Sequence, residues 1–273
     1  MSNFVDINYR LGEHLQEAKK RYNLNGDDRD WFVICLQGSQ NYGLADEESD
    51  IDSKLLIIPS LEEMALNKKT ISTTMVMPNE EHCDVKDVRE YFKIFRKSNI
   101  NFVEILWTDY WIANPKYMHL WLELRRRREE LARYNPKAAV SCMKGMASEK
   151  LHALDHEYPS RMEYIEKYGY DPKQLSHLVR IKYFIQNYVA GELYEKCLAV
   201  GENEEQREML LELKRNGLNL TKDSAIELGK DCFDQISKIA KDYVENENLS
   251  INQEISDFLD DIVCQIVKLS VSE

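Results

Sequence analysis

Two short motifs carry residue types that bind phosphate and metal ions. Gly38 and Ser39 follow an apolar run, and after a gap of ten residues the sequence Asp50-Ile51-Asp52 opens a second apolar run. Glycine lets backbone N–H groups approach an anion closely, and a serine hydroxyl adds a small hydrogen-bond donor. Two carboxylates on one face of a strand repel each other unless a hard cation lies between them, and Mg²⁺ prefers such oxygen ligands. The two motifs therefore predict a site for a metal ion and a phosphate-bearing ligand.

Both motifs lie at the ends of segments that have the pattern of β-strands. Alternation of side chains places Asp50 and Asp52 on one face of a strand and Ile51 in the core. After Gly38 and Ser39 the chain is expected to turn into a helix, whose first N–H groups and positive dipole end favour an anion. Four strands are predicted, over residues 30–38, 51–59, 70–77 and 81–87.

Two helices are predicted around these strands. The first is an amphipathic helix over residues 5–24, in which apolar residues recur at helical spacing. The second covers residues 88–99, with Asp87 as its N-cap and Glu90 completing a capping box. Both helices are expected to pack against the sheet.

The spacing of apolar residues changes near residue 115, and from there one long helical pattern follows another. This change predicts an α+β protein, with an α/β domain over residues 1–114 and an all-helical domain over residues 115–273.

Charge is distributed unevenly along the sequence. The whole chain has a net charge of −12, but residues 201–273 contain 17 acidic and 8 basic side chains, which leaves −3 for residues 1–200. A surface that binds nucleotide or nucleic acid is therefore expected in the first 200 residues.

Composition also indicates the cellular compartment. The six cysteines form no CxxC pair and are scattered among apolar residues, which favours reduced, mostly buried thiols over a zinc site. No signal-peptide pattern opens the sequence, and no apolar run approaches the roughly 20 residues that a membrane span needs. These features predict a cytoplasmic protein without a membrane partner.

The two motifs together resemble a known signature. Gly38-Ser39, the ten-residue gap and Asp50-Ile51-Asp52 are similar to the hG[GS] turn and Dh[DE]h strand of the DNA polymerase beta-like nucleotidyltransferase superfamily. Three longer stretches resemble its bacterial and phage branch, which includes proteins found beside RNA ligases: GSQNYGLADEESDID, SNINFVEILW and KYGYDPKQLSHLVRI. One departure is Ser53, which stands where the superfamily has an apolar residue.

The resemblance implies a fold and an activity. The expected fold is a minimal, palm-like mixed sheet with flanking helices, followed by the helical domain. The expected reaction transfers a nucleoside monophosphate from a nucleoside triphosphate to a hydroxyl acceptor, with RNA as one candidate acceptor. Two Mg²⁺ ions, or Mn²⁺ in their place, are expected as cofactors.

Such enzymes need a third carboxylate on a neighbouring strand, and two residues compete for this role. Asp84 lies within the predicted fourth strand, whereas Asp87 already has a structural role as a helix N-cap. Asp84 is therefore the preferred candidate. In the implied scheme Asp50 and Asp52 bridge both ions, Asp84 binds the ion that activates the acceptor hydroxyl, and no side chain acts as nucleophile.

A second informative stretch begins a helix at Pro172. Lys173, His177 and Arg180 fall at positions i, i+4 and i+7, so one face of this helix is basic. We expect Lys173 and His177 to face the phosphates of a bound triphosphate, with Lys144 as a weaker candidate of the same kind. The alternative is an ordinary solvated face opposite an apolar stripe.

Two other classes of protein compete with an enzyme. One is a catalytically degenerate nucleotidyltransferase fold that binds a nucleotide or a partner protein, as in a toxin–antitoxin pair. The other is a helical interaction protein with an incidental α/β cap. The acidic C-terminal helices are further candidates for a homodimer face, and the sequence leaves the acceptor and the preferred base open.

Overall fold

The computed structural model describes residues 6–25, 28–45, 49–198, 203–247 and 249–272. These residues form two compact units. The first holds the described parts of Met1–Asn41, Ala45–Asn135 and Ile251–Glu273, and the second holds those of Tyr42–Leu44 and Pro136–Ser250. The first unit thus continues beyond the predicted boundary at residue 114 and takes in the last helix. The division into an α/β domain over residues 1–114 and a helical domain over residues 115–273 stays a prediction.

Strands of the described residues form one mixed sheet in the first unit. The order across the sheet is β3-β4-β2-β1-β5, in which β2 and β4 are parallel and the other neighbours are antiparallel. All four predicted strands are present, and β5 was not predicted because three residues are too few to show a period. The strands are β1 Asp30–Gln37, β2 Asp52–Ile58, β3 Ser72–Val76, β4 His82–Asp87 and β5 Trp111–Ala113.

Helices flank this sheet and build the second unit, which confirms the predicted α+β class with a helical region after the sheet. The first unit contains α1 Ile7–Tyr22, α2 Leu61–Ala65, α3 Val88–Phe95, α4 Ile100–Val103, α5 Met118–Arg126, α6 Arg128–Arg133 and, at the end of the chain, α13 Gln253–Ser270. The second unit contains α7 Pro136–His152, α8 Met162–Tyr168, α9 Pro172–Val189, α10 Tyr194–Leu198, α11 Glu204–Asn216 and α12 Lys222–Asn246. Among the described helices, none is long and apolar enough to cross a membrane.

Helix α1 covers one face of the sheet. Asp6 caps it by accepting a hydrogen bond from the Tyr9 N–H, and Asn23 ends it in the left-handed conformation. Its apolar stripe is fully or almost fully buried against alternate residues of the strands. The core of this face includes Leu11, Leu15, Ala18, Ile34, Leu55, Ile57, Cys83 and Val85.

A buried polar link joins α1 to the start of β2. His14 and Ser53 are both fully buried, and the His14 Nδ1 lies 2.8 Å from the Ser53 Oγ. The His14 Nε2 lies 2.9 Å from the Glu81 carboxylate, to which Arg10 also donates. Because no solvent reaches Ser53, this Ser–His–Glu arrangement holds the sheet rather than offering a nucleophile. Its effect is to fix the residue that follows Asp52.

Helix α3 has a side-chain cap at its start and a hydrogen bond that joins it to α4. Asp87 caps α3 as predicted, by accepting from the Arg89 N–H. The predicted capping box is wrong, because the Asp87 N–H donates to the Ile71 carbonyl and the Asp87 side chain accepts from Arg89 rather than from Glu90. The buried Tyr91 donates its hydroxyl to the Phe102 carbonyl, 2.8 Å away, which fastens α3 to α4.

The second unit is organised around α9, which packs against α7, α11 and α12. The predicted apolar stripe of α9 is confirmed, since all of its members are buried. Asp171 caps the helix and receives two hydrogen bonds from the Arg161 guanidinium. The stripe consists of Leu175, Leu178, Ile181, Phe184 and Ile185.

Replacing His14 by Ala is expected to lower the free energy of unfolding by about 2–4 kcal/mol, because it opens a cavity and leaves Ser53 and Glu81 without a shared partner. Urea denaturation of wild type and variant measures this. Gln16→Ala, at an exposed position of the same helix, is the control and should change stability by less than about 0.5 kcal/mol. Equal effects of the two substitutions would contradict a supporting role for His14.

Candidate functional site

The turn after β1 differs from the predicted strand-to-helix corner. Ser39–Tyr42 form a single 3₁₀ turn, and no α-helix follows in the described residues before β2. The Asn41 side chain donates to the Leu36 carbonyl, which competes with continued helix, and Gly43 has a φ of +67°. An extended helix dipole is therefore absent from this part of the described chain, and an anion here depends on the local N–H groups and on Ser39.

The carboxylate motif lies directly beside this turn. Asp52 is the first residue of β2 and pairs with Gln37 of β1 in the antiparallel ladder. Gly38 has a φ of +86°, and a Cβ built on it would lie 3.8 Å from the Asp52 Oδ2. Ile51 is buried and Asp50 is exposed, as the alternation predicted. Gly38 and Asp52 thus face each other across a space that a side chain at position 38 would partly fill.

Asp84 lies on the neighbouring parallel strand and is held by two lysines. It pairs in register with Lys54, so both side chains are on the same face of the sheet as Asp52. The Lys54 Nζ lies 2.5 Å from the Asp84 Oδ2, and the Lys86 Nζ lies 3.0 Å from the Asp84 Oδ1. Each oxygen of this carboxylate therefore already has an ammonium partner.

Lys54 itself is deeply buried. Its side chain is 2% exposed, and its Nζ lies 4.2 Å from the centroid of the Phe102 ring. Burial lowers the pKa of Lys54, and the attraction of Asp84 opposes this effect. Moving this buried ammonium away from the aromatic ring and the carboxylate would leave a charge without a partner in the protein interior, which is energetically unfavourable.

Two further titratable residues lie at the site, and sequence reasoning had treated neither as functional. His82 lies one position before the Ser53–Cys83 pair of the parallel ladder, and its Nδ1 is 3.5 Å from the Asp52 Oδ1. Glu104 is 2% exposed and accepts a long hydrogen bond of 3.4 Å from the Gly38 N–H.

A simple rule would have found three of these residues. Lys54 and Lys86 lie two positions after Asp52 and Asp84, and His82 lies two positions before Asp84, so strand alternation puts all three on the carboxylate face. Glu104 gives no such signal, because its place beside Gly38 depends on how two distant segments pack.

The arrangement fits one divalent ion better than two. Mg²⁺ in proteins is commonly bound through one or two carboxylates, with waters and substrate phosphates completing its shell. Asp52 supplies one such carboxylate beside the turn, and the exposed Asp50 lies two residues before it in the chain. Across the described ranges, no group of three or more His, Cys, Asp or Glu side chains is placed to hold a metal ion. Asp84, with both oxygens in ion pairs, does not fit as the ligand of a second ion.

The basic residues of α9 belong to the second unit. Lys173 is exposed at the first turn, and His177 is half-buried one turn later. Burial, together with the charges of Arg180, Lys173, Lys150 and Lys214, holds the pKa of His177 well below 6.5. His177 is therefore a neutral imidazole in a cluster of cations from three helices. Lys150 on α7 and Lys214 on α11 were not predicted.

Arg180 contributes to this cluster from a buried position, contrary to a simple solvated face. It is 5% exposed, and its guanidinium lies 3.9 Å from the centroid of the Tyr42 ring. Arg207 donates to the Gly43 carbonyl at 2.7 Å, and Lys214 to the Leu44 carbonyl at 3.3 Å. Basic side chains of the second unit thus hold the segment Tyr42–Leu44, which follows the Gly-Ser turn in the chain.

Comparison with known proteins gives little beyond this geometry. No protein-family model matches the sequence, and no curated protein matches it either. Among solved structures, the chain is similar to a nucleotidyltransferase-like protein from Exiguobacterium sibiricum, over 85% of this chain and 75% of that one. The two chains are 11% identical, with a TM-score of 0.31. A similarity this low carries no conclusion about activity, which has to be argued from the site itself.

Substituting Asp84 or Lys54, the two partners of the buried ion pair, is expected to lower the free energy of unfolding by unequal amounts. Asp84→Asn leaves the buried Lys54 ammonium without a carboxylate and should cost about 3–5 kcal/mol of stability. Lys54→Met leaves Asp84, which is 18% exposed, still paired with Lys86 and should cost only about 1–2 kcal/mol.

Urea denaturation of both variants and of the double variant tests this asymmetry, since the double variant removes both charges and should recover part of the loss. Lys68→Met breaks the exposed pair with Glu62 and serves as the control with little effect. A larger loss for Lys54→Met than for Asp84→Asn would contradict the assignment of Lys54 as the desolvated partner.

Proposed function

We propose that this chain is a Mg²⁺-dependent nucleotidyltransferase, which transfers a nucleoside monophosphate from a nucleoside triphosphate to a hydroxyl acceptor. The observation that supports this most is the approach of Gly38 to Asp52, with 3.8 Å between a Cβ built at position 38 and the Asp52 Oδ2. A turn with an open backbone thus lies against the Asp52 carboxylate, and Asp50 is two residues away in the chain. Phosphate and a divalent ion need these two features side by side.

Each residue of the site has a role in this proposal. The Ser39 hydroxyl and the local N–H groups bind phosphate oxygens, and Asp50 and Asp52 hold the ion. A bound Mg²⁺ supplies positive charge that orients the triphosphate and offsets the charge that develops on the leaving pyrophosphate. Glu104 accepts from the Gly38 N–H and so fixes the backbone of the turn. The acceptor hydroxyl attacks the α-phosphorus directly, the bond between the α-phosphorus and pyrophosphate breaks, and the hydroxyl proton passes to water. No residue of the chain is the nucleophile.

The cationic cluster of the second unit is proposed to bind phosphate groups. Lys173 is exposed and places an ammonium group at the first turn of α9. His177, kept neutral by its surroundings, can donate one hydrogen bond without adding charge. Removing a charge-assisted contact of this kind weakens binding by about 1.5–3 kcal/mol.

A second candidate function is nucleotide or partner binding without turnover. The ion pairs of Asp84 favour it, because they occupy the carboxylate that a two-ion scheme assigns to activating the acceptor. Turnover separates the two candidates. Incubation with each labelled ribonucleoside triphosphate, Mg²⁺ and either total RNA or cell lysate would show whether a label is transferred, and to which acceptor.

Asp50→Asn and Asp52→Asn are each expected to reduce Mg²⁺-dependent turnover by about 10³-fold or more, since a carboxylate ligand of the ion supplies several kcal/mol of charge stabilisation. Their melting temperatures should stay equal to that of wild type or rise, because like-charge repulsion is removed. Asp109→Asn changes an exposed aspartate of the same unit and should turn over normally. Full activity of the Asp52 variant would exclude the proposed catalytic site.

Lys173→Ala is expected to raise the KM for the triphosphate about tenfold, the loss of one charge-assisted contact. Lys173→Glu should raise it further, because a like charge would then meet the phosphates. Lys196→Ala, at an exposed position of α10, is the matched control. Steady-state kinetics with a thermal melt decide the question, and a KM that stays unchanged in both Lys173 variants would place this lysine outside the binding site.

A further inference from the structure

We infer that the site takes a single divalent cation, held by Asp50 and Asp52, and that Asp84 is the counter-ion of Lys54 instead of a metal ligand. This inference rests on the proposed function, which it makes more specific. It also departs from the two-ion scheme that the sequence resemblance implied.

The first reason is the occupation of the Asp84 carboxylate. One oxygen lies 2.5 Å from the Lys54 Nζ and the other lies 3.0 Å from the Lys86 Nζ. A divalent ion bound at these oxygens would have to displace an ammonium group, or lie within a few ångströms of one. Both arrangements bring like charges together at short range.

The second reason is that Lys54 cannot easily move aside. Its side chain is 2% exposed, and the Phe102 ring lies over its Nζ. If Lys54 moved away from Asp84, its ammonium would lie in apolar surroundings without a carboxylate partner, which is unfavourable. Its register partner across the parallel ladder is Asp84 itself, so the backbone pairing fixes the two groups next to each other.

The third reason is the charge of this face of the sheet. Lys54 and Lys86 place two positive charges beside Asp84, where the two-ion scheme would place a second divalent cation. Asp52 lies two positions before Lys54 on β2, where its Oδ1 is 3.5 Å from the His82 Nδ1 and its Oδ2 faces Gly38. One ion bound by Asp50 and Asp52 would neutralise these two carboxylates, and phosphate oxygens and water would complete its coordination shell.

Counting bound ions tests the inference without any turnover. Mn²⁺ replaces Mg²⁺, and the α,β-methylene analogue of each ribonucleoside triphosphate in turn replaces the substrate. Equilibrium dialysis of the full chain then measures bound Mn²⁺ and bound analogue separately. A reference sample of analogue and Mn²⁺ without protein gives the number of ions that the nucleotide itself carries. We expect one Mn²⁺ per bound analogue. A ratio of two overturns the inference and leaves the proposed function standing.

Variants assign the ion to its ligands. Asp84→Asn should keep a ratio of one with Mn²⁺ affinity within about threefold of wild type, whereas Asp52→Asn should lose the ion. Should Asp84→Asn fold poorly, the double variant Lys54→Met with Asp84→Asn removes both buried charges and should again bind one ion. Loss of Mn²⁺ in a folded Asp84 variant overturns the inference. Failure of the wild type to bind any analogue with Mn²⁺ overturns the proposed function and the inference with it.

Discussion

A lysine ammonium buried beneath an aromatic ring must keep a carboxylate beside it, and this requirement joins the two parallel strands at the centre of the sheet. Lys54 and Asp84 are register partners, so any slip of β4 along β2 by one residue would turn Asp84 to the opposite face. The hydrophobic pattern and the ion pair therefore specify the same register. The position of Asp52, two residues before Lys54, follows from it.

The opposite face of β2 is fixed by a different chemistry. There His14 links Ser53 to Glu81, all within the core that α1 covers. Strand β2 is thus fastened by a polar contact on each face within its first three residues. This explains how a strand can begin with the Asp52 carboxylate and still hold it in one place, as a site for charged ligands requires.

Much of this could be read from the sequence, because the informative signals are local. Period-two alternation gave four strands, and helical spacing with caps gave α1, α3 and the apolar stripe of α9. The failures are of two kinds. The helix expected after Ser39 is absent from the described residues because the Asn41 side chain donates to the Leu36 carbonyl and competes with helical hydrogen bonds, which periodicity does not reveal. Glu104 was missed because a contact between segments distant in sequence has no periodic signature.

Helix α13 belongs to the first unit although all of the second unit's helices precede it in the chain. Arg96 bonds to Asp260 and Arg127 to Glu254, so this helix is tied to the sheet-containing unit by ion pairs as well as by packing. On the ribosome, chains are delivered from the N-terminus and units begin to fold as they emerge. The sheet-containing unit therefore acquires the packing and the ion pairs of α13 only after the helices of the second unit have been synthesised.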